Sequence, residues 1–214
     1  MSGIMLHMVG GSFGDAPPTV IGQAYGGGFY AGQIGVSGVA THYLVIGPSA
    51  SAESASKQWK NANTATVGAS SAINGPQNTA DIVADGNATV YPAGHFCNNL
   101  VTGGFSDWYM PAKNELEVCY YNLKPTTTSN NTSSGINANA VPARASNYTA
   151  GTPAQTSATD FQSGGAEDFL ASVYWSSTRR SSADAYAQSF SNGNQYDDFK
   201  DAYHRVRAIR RVAV

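Results

Sequence analysis

The sequence predicts an α+β domain, on three observations. Its last third alternates apolar and polar residues in short runs, two stretches in its middle carry apolar residues at helical spacing, and long Gly-, Ser-, Thr- and Asn-rich segments connect them. With 214 residues, 42% hydrophobic and 11% aromatic, the chain can bury a real core. It reads as one domain, 19–214, preceded by an arm or attachment segment, 1–18. That segment is punctuated by Gly and Pro around a short apolar run at 4–9, a pattern equally suited to an arm, an edge strand or a contact with a partner.

The elements come in this order. Residues 20–34 place aromatic and β-branched side chains on both sides of Gly26-Gly27-Gly28, which predicts two strand pieces joined at a bulge or turn. Residues 42–47 (HYLVIG) form a strand closed by Pro48. The polar stretch 49–88 is expected to be mostly irregular, with short helices at 54–59 and 78–84. Pro92 opens a helix over 91–100, with Phe96 and Leu100 four residues apart on one face. A stronger helix spans 110–123: Pro111 suits its first turn, Leu116, Cys119, Tyr120 and Leu123 recur at i, i+3, i+4 and i+7, and Lys124-Pro125 stops it. Residues 126–165 have a low-complexity look, yet Val141, Arg144, Tyr148 and Phe161 are spaced to pin an ordered loop to the body. After a short turn or helix at 167–170 come three strands, 172–177, 183–190 and 203–212; the last two are linked by 191–202 with its turn signal Asn192-Gly193-Asn194.

Composition narrows the function. Only 12% of residues are charged and the net charge is -2, so no basic field holds nucleic acid or an anionic membrane surface. No apolar run reaches the ~20 residues of a membrane span, and the start lacks the basic and apolar regions of a signal peptide, so folding in a cytoplasm without membrane insertion is expected. Cys97 and Cys119 lie in apolar stretches and read as buried free thiols. The polarity comes from Ser, Thr, Asn and Gly, with 12 Tyr, a composition of contact surfaces built from tyrosine and small polar groups.

Four motifs then occur in a telling order: Gly-Gly-Phe-Ser-Asp-Trp-Tyr-Met-Pro-Ala (103–112) before a helix, Tyr-Trp-Ser-Ser-Thr (174–178), Ala-Tyr-Ala-Gln-Ser-Phe-Ser-Asn-Gly (185–193) and Arg-Val-Arg-Ala-Ile-Arg-Arg-Val (205–212). As a set, over roughly 21–214, they resemble a C-type-lectin-like domain of the kind found in phage tail fibres, bacterial surface proteins and retroelement-diversified variable proteins. The resemblance implies a small mixed, largely antiparallel sheet flanked by two helices, long ordered loops, and a ligand face on the final sheet. It also implies that residues 179–204 are a diversified tract. Adenine-directed mutagenesis in that group yields chiefly Ser, Asp, Tyr, Arg, His, Phe, Ala and Asn, never Lys, Gln or Glu, so Gln188, Gln195 and Lys200 would be fixed scaffold positions.

The candidate ligand-binding residues are Arg179, Arg180, Ser182, Asp184, Tyr186, Ser189, Tyr196, Asp197, Asp198, Phe199, Tyr203 and His204. Tyr and Arg combine large contact area with directional hydrogen bonds and lead among interface hot spots. The expected function is a receptor-binding or adhesion protein of a phage tail, located in the virion and made in the host cytoplasm. Its ligand would be a bacterial cell-surface protein or glycan, with other tail proteins reached through the arm. Multivalency favours a homo-oligomer, and the family likeness a trimer. The alternative is a purely structural tail decoration.

Enzyme and metal chemistry fare worse. The four histidines show no metal-ligand spacing, the glycine runs lack a phosphate-loop Lys or a dinucleotide fingerprint, and no cofactor is expected. The tripeptides through which lectins of this likeness hold sugar on calcium do not occur; Asp197, Asp198 and Asp201 are a local carboxylate cluster that could hold a hard cation, and a solvated acidic turn is the preferred reading. The related formylglycine-generating enzymes use a reactive cysteine pair near the C-terminus, where this chain has none. Ser176-Ser177 lack the glycines of a nucleophile elbow. On one uninterrupted strand Arg205, Arg207 and Arg211 would share a face with Ile209, opposite Val206, Ala208, Arg210 and Val212; Arg207 and Arg210 are expected to fasten loops. Trp108, Tyr174 and Trp175 read as core, Trp59 less clearly so.

Overall fold

A computed structural model describes residues 16–214, so of the arm expected at 1–18, residues 1–15 lie outside the described residues. The chain is α+β, with two sheets and helices packed against them. Strands β1 (Ala24–Tyr25), β2 (Gly28–Val36) and β3 (Val39–Ile46) run antiparallel, and β9 (Ile209–Ala213) completes a four-stranded sheet in the order β1-β2-β3-β9. The second sheet has the order β4-β8-β5-β6-β7, from β4 (Glu53–Gln58), β5 (Val173–Arg179), β6 (Asp184–Ser189), β7 (Gln195–Phe199) and β8 (Tyr203–Arg207). All its pairs are antiparallel except β5 with β8.

The basic segment expected as one strand over 203–212 is broken at Ala208, and there it changes sheet. Ala208 donates its N–H to Ala52 O and its carbonyl accepts from Gly47 N, while Ile209 exchanges backbone bonds with Tyr109. The side-chain alternation therefore does not run through the break: Arg207 and Arg210 are both buried. They fasten loops, as expected. Arg207 donates to Gly47 O, Glu167 O and the Glu167 carboxylate, and Arg210 to Gly26 O and, with two nitrogens, to Asp107.

Among the described residues there are four α-helices, of which the last three match sequence signals in part and the first was not expected. A four-residue turn, α1 (Ser49–Ala52), comes directly after Pro48. Helix α2 (Gly75–Asp85) is capped by Asn74, whose side chain accepts from Gln77 N. Helix α3 (Pro92–Asn98) begins at its proline. Helix α4 (Lys113–Leu123) begins later than expected, leaving Pro111 outside the first turn, because the buried Glu115 carboxylate accepts from Ala112 N at 2.7 Å and fixes the start there. Residues 54–59 are not helical: Glu53–Gln58 is β4, since a short Ser/Ala run has no apolar helical face to bury and its backbone is instead paired by β8. Residues 195–199, expected within a linker, form β7.

Two apolar clusters fill the interior. One gathers Trp59, Tyr91, Trp108, Trp175 and Val206; the other, under α4, gathers Leu44, Leu116, Tyr120, Phe161, Phe169 and Phe190. Trp59 is thus core, its indole donating to Ser176 O. Helix α4 crosses β2 at Gly32, where φ is +126° and a Cβ would stand 2.3 Å from the Asn122 amide nitrogen, so only glycine allows the approach.

The loop over 126–165 is ordered by buried polar groups rather than by secondary structure. Glu117, fully buried on α4, accepts from Asn137, Arg144 and the Tyr148 hydroxyl. Asn130 accepts from Tyr120 and donates to Thr149 O and Pro153 O. Of the pins the sequence predicts, Arg144, Tyr148 and Phe161 are all engaged or buried, and Val141 is half-buried. The two asparagines add a second set of ties.

Candidate ligand-binding face

The β6–β7 hairpin is the centre of the candidate face, and its register sorts the candidate residues. Asp184 pairs with Phe199, Tyr186 with Asp197 and Gln188 with Gln195; Ala185 pairs with Asp198 and Ala187 with Tyr196. Side chains alternate along a strand, so the first set looks to one side of the sheet and the second to the other. The twelve candidates thus do not form one surface.

On the first side Tyr186 is half-buried, with the Lys113 ammonium 4.3 Å from its ring centre. Exposed Arg180 reaches Asp197 at 3.7 Å, a pair open enough to water to contribute little. Burial, followed by the nearby Arg180 charge, pulls the Lys113 pKa below its usual value, while Asp197 pushes it up. Lys113 therefore joins this patch from the start of α4, about seventy residues before the hairpin. Phe199 and Tyr203, at 57% and 66% exposure, stand free at the far end. Ser182 is exposed at the β5–β6 turn.

On the second side Asp198 accepts from the His204 ring at 2.9 Å, and that ring lies 4.5 Å from Trp175, centre to centre. Tyr196 packs against the same core cluster, and burial, then Asp198, raises its pKa. Since Asp197 and Asp198 look to opposite sides, the acidic triplet of the sequence is not a cluster in space. Among the described residues no group of three His, Cys, Asp or Glu side chains is placed to hold a metal ion.

The remaining candidates are engaged locally. Arg179 donates to Gly68 O, Asp184 accepts from the Ser181 hydroxyl at 2.6 Å, and Ser189 shares a hydrogen bond with Ser191 at 2.7 Å.

The three residues expected to be fixed tie this hairpin to the rest of the chain. Gln188 is buried and donates to Gly193 O and the Tyr148 hydroxyl. Gln195 accepts from Gly135 N through its side chain, and its backbone N–H donates to Ser134 Oγ. Lys200 is fully buried and donates to Thr64 O, Thr66 Oγ1 and Ser182 O. Gly193 turns the hairpin with φ +76° against the Tyr120 ring, where a Cβ would sit 2.3 Å from a ring carbon. The hairpin is thus tied at its tip, its base and its middle. Cys97 and Cys119 are free and buried, and burial raises both thiols well above their usual range, far from the low pKa of reactive cysteines.

Lys113 could not be found from the hairpin sequence, because only the packing of α4 beside β6 brings it there. No curated protein matches the chain. A family model described as the Lcl C-terminal domain matches residues 53–210, from β4 through all of the second sheet to the start of β9, leaving β1–β3 outside the match. The matched stretch covers the hairpin, its buried ties and most of the chain, and on that ground the protein belongs to the Lcl C-terminal domain family.

Proposed function

We propose that the chain is an adhesion domain with a C-type-lectin-like scaffold, which binds a bacterial cell-surface protein or glycan through the β6–β7 hairpin and the start of β8. The observation that carries this reading is the division of labour within 179–204: Gln188 and Lys200 are buried and tie the backbone, while Arg180, Asp197, Phe199 and Tyr203 stand at the surface on that same backbone. A fixed hairpin displaying arginine and aromatic groups loses little entropy on binding, and such groups dominate interface energetics. The family match, which spans the hairpin, supports a ligand-binding role. The phage tail is the setting we infer from the motif resemblance, with the domain carried on the virion as a homotrimer attached through its N-terminal segment. We read the chain as a binding module rather than an enzyme.

The test is adhesion of the full chain to host cells. Replacing Arg180, Phe199 and Tyr203 together with Ala is expected to weaken binding at least about thirtyfold, on the order of 2 kcal/mol for the loss of even one hot-spot contact. Folding should be unaffected, because these side chains are exposed. Binding by the triple variant equal to that of the parent protein would favour a purely structural decoration instead.

A further inference from the structure

The candidate face holds an ammonium whose charge the chain leaves unanswered. Lys113, at the first position of α4, is half-buried, and its ammonium stands 4.3 Å from the Tyr186 ring centre. Among the described residues it donates no hydrogen bond, and no carboxylate lies within 4.0 Å of it. Two buried lysines are provided for: Lys124 donates to Thr128 O and Pro153 O, and Lys200 to three acceptors. An ammonium stripped of water on one side gains most from an anion arriving on the other.

A second cation lies close by. Arg180 Nε is 3.7 Å from Asp197 Oδ1, a loose contact beside those of Arg205, Arg207, Arg210 and Arg211, which reach carboxylates at 2.6–2.8 Å. Lys113 feels the same two neighbours, its pKa lowered by burial and then by Arg180 and raised by Asp197. Two cations thus share one carboxylate. Asp184 looks to the same side of the sheet, but it is held by the Ser181 hydroxyl at 2.6 Å, and the lysine whose pKa it raises is Lys200. The patch keeps a local positive surplus on a chain of net charge -2.

The register also says what stands next to it. Tyr186 pairs with Asp197, and Phe199 follows on the same side two residues on, about 7 Å along the strand. Its ring is 57% exposed and has no hydrogen-bonding group for the hydroxyls of a sugar. An anion flanked by apolar surface is the pattern of a protein partner.

We propose that Lys113 and Arg180 form a carboxylate subsite of the hairpin face, which takes the side chain of a Glu or Asp on a partner protein while Phe199 packs against apolar residues around it. The inference rests on the reading of this hairpin as the ligand face, and adds to it a cation from outside 179–204. The incoming carboxylate competes with Asp197 for Arg180.

The experiment titrates the isotope-labelled full chain at constant ionic strength with N-acetylglutamate α-methylamide, its uncharged glutamine counterpart and methyl glucuronide, following the Lys113 ε-methylene and Arg180 Nε–H signals. The glutamate probe is expected to shift both with a Kd on the order of 10 mM, and the glutamine probe neither. Lys113→Gln should weaken the glutamate probe at least about fivefold, and exposed Arg180→Gln gives the same reading should the first variant fail to fold. Asp197→Asn should strengthen it about twofold or more, because the competing carboxylate is gone. Equal shifts from the glutamine probe, no shifts up to about 100 mM, or affinity indifferent to both cation variants would overturn the subsite, and tighter binding of methyl glucuronide would overturn the protein carrier. The two readings fail separately: no response to the glutamate probe with adhesion lost in the triple variant removes the subsite alone, whereas a response with adhesion intact in that variant removes the hairpin reading alone.

Discussion

Lys200→Met removes one ammonium from the interior and leaves most of the apolar stem in place. The group is fully buried, donates to Thr64 O at 3.1 Å, Thr66 Oγ1 at 3.2 Å and Ser182 O at 2.8 Å, and lies 5.0 Å from the Trp59 ring centre. Burial, then the charges of Lys60 and Arg179, lowers its pKa to about 8. Two effects oppose each other near neutral pH. Three acceptors lose their donor, at about 1–3 kcal/mol for each one left buried and dry, while the desolvation of a cation is relieved. We expect a net loss of about 2 kcal/mol at pH 7.

The pH profile is the sharper readout. A lysine with a folded pKa near 8 and an unfolded pKa near 10.4 leaves the unfolded chain holding more protons between those values, so stability rises with pH in that window. From pH 8 to 10 the rise amounts to about 2 kcal/mol in the parent protein, and it is absent in Lys200→Met. Above pH 10 the buried tyrosines reverse the trend: Tyr91, raised to about 12, keeps a proton that the unfolded chain gives up. Urea unfolding of both proteins at half-unit steps from pH 7 to 10 measures the difference. Parallel profiles, or a variant as stable as the parent at pH 7, would refute the assignment of Lys200 as a buried tie whose charge is penalised.

Two further predictions concern the same framework. Gly193→Ala places a methyl against the Tyr120 ring at a positive φ and is expected to cost about 2 kcal/mol or more, read as a lowered melting temperature with hydrogen exchange first quickened in β6 and β7. Glu117→Leu leaves the Arg144 guanidinium and two further donors without their acceptor; a loss of about 3–5 kcal/mol is expected, with new proteolytic sites confined to 126–165, and a variant cleaved no faster there would count against the fastening role.

Much of the fold could be read from local pattern. The run from His42 to Ile46 alternates only partly, yet its β-branched and aromatic content predicts β3, and the Leu116, Cys119, Tyr120, Leu123 repeat predicts α4. The arginine ties were legible because a guanidinium on a half-buried strand near long loops has few other uses. What the sequence hides is non-local. β4 is a Ser/Ala run whose identity comes from its pairing with β8, and the break at Ala208 arises because the chain changes neighbours there. Strand β7 was masked by its acidic Asp197 and Asp198, residues rare in strands unless one side is open to water. Of the site, strand β6, the turn signal at 192–194 and the scaffold role of Gln188 and Lys200 were readable; the pairing of β6 with β7, the sorting of residues by its register and the presence of Lys113 were not.

That sorting has a consequence for how such a hairpin can acquire new partners. If the proposed face is the binding surface, a change at Asp197 in β7 alters what a ligand meets, whereas a change at its neighbour Asp198 alters a joint with His204 on the other side of the sheet. On the proposed face, new contacts from this strand would thus come from Asp197 and Phe199, while Gln195, Tyr196 and Asp198 set how much disturbance the foundation tolerates before the display itself is lost.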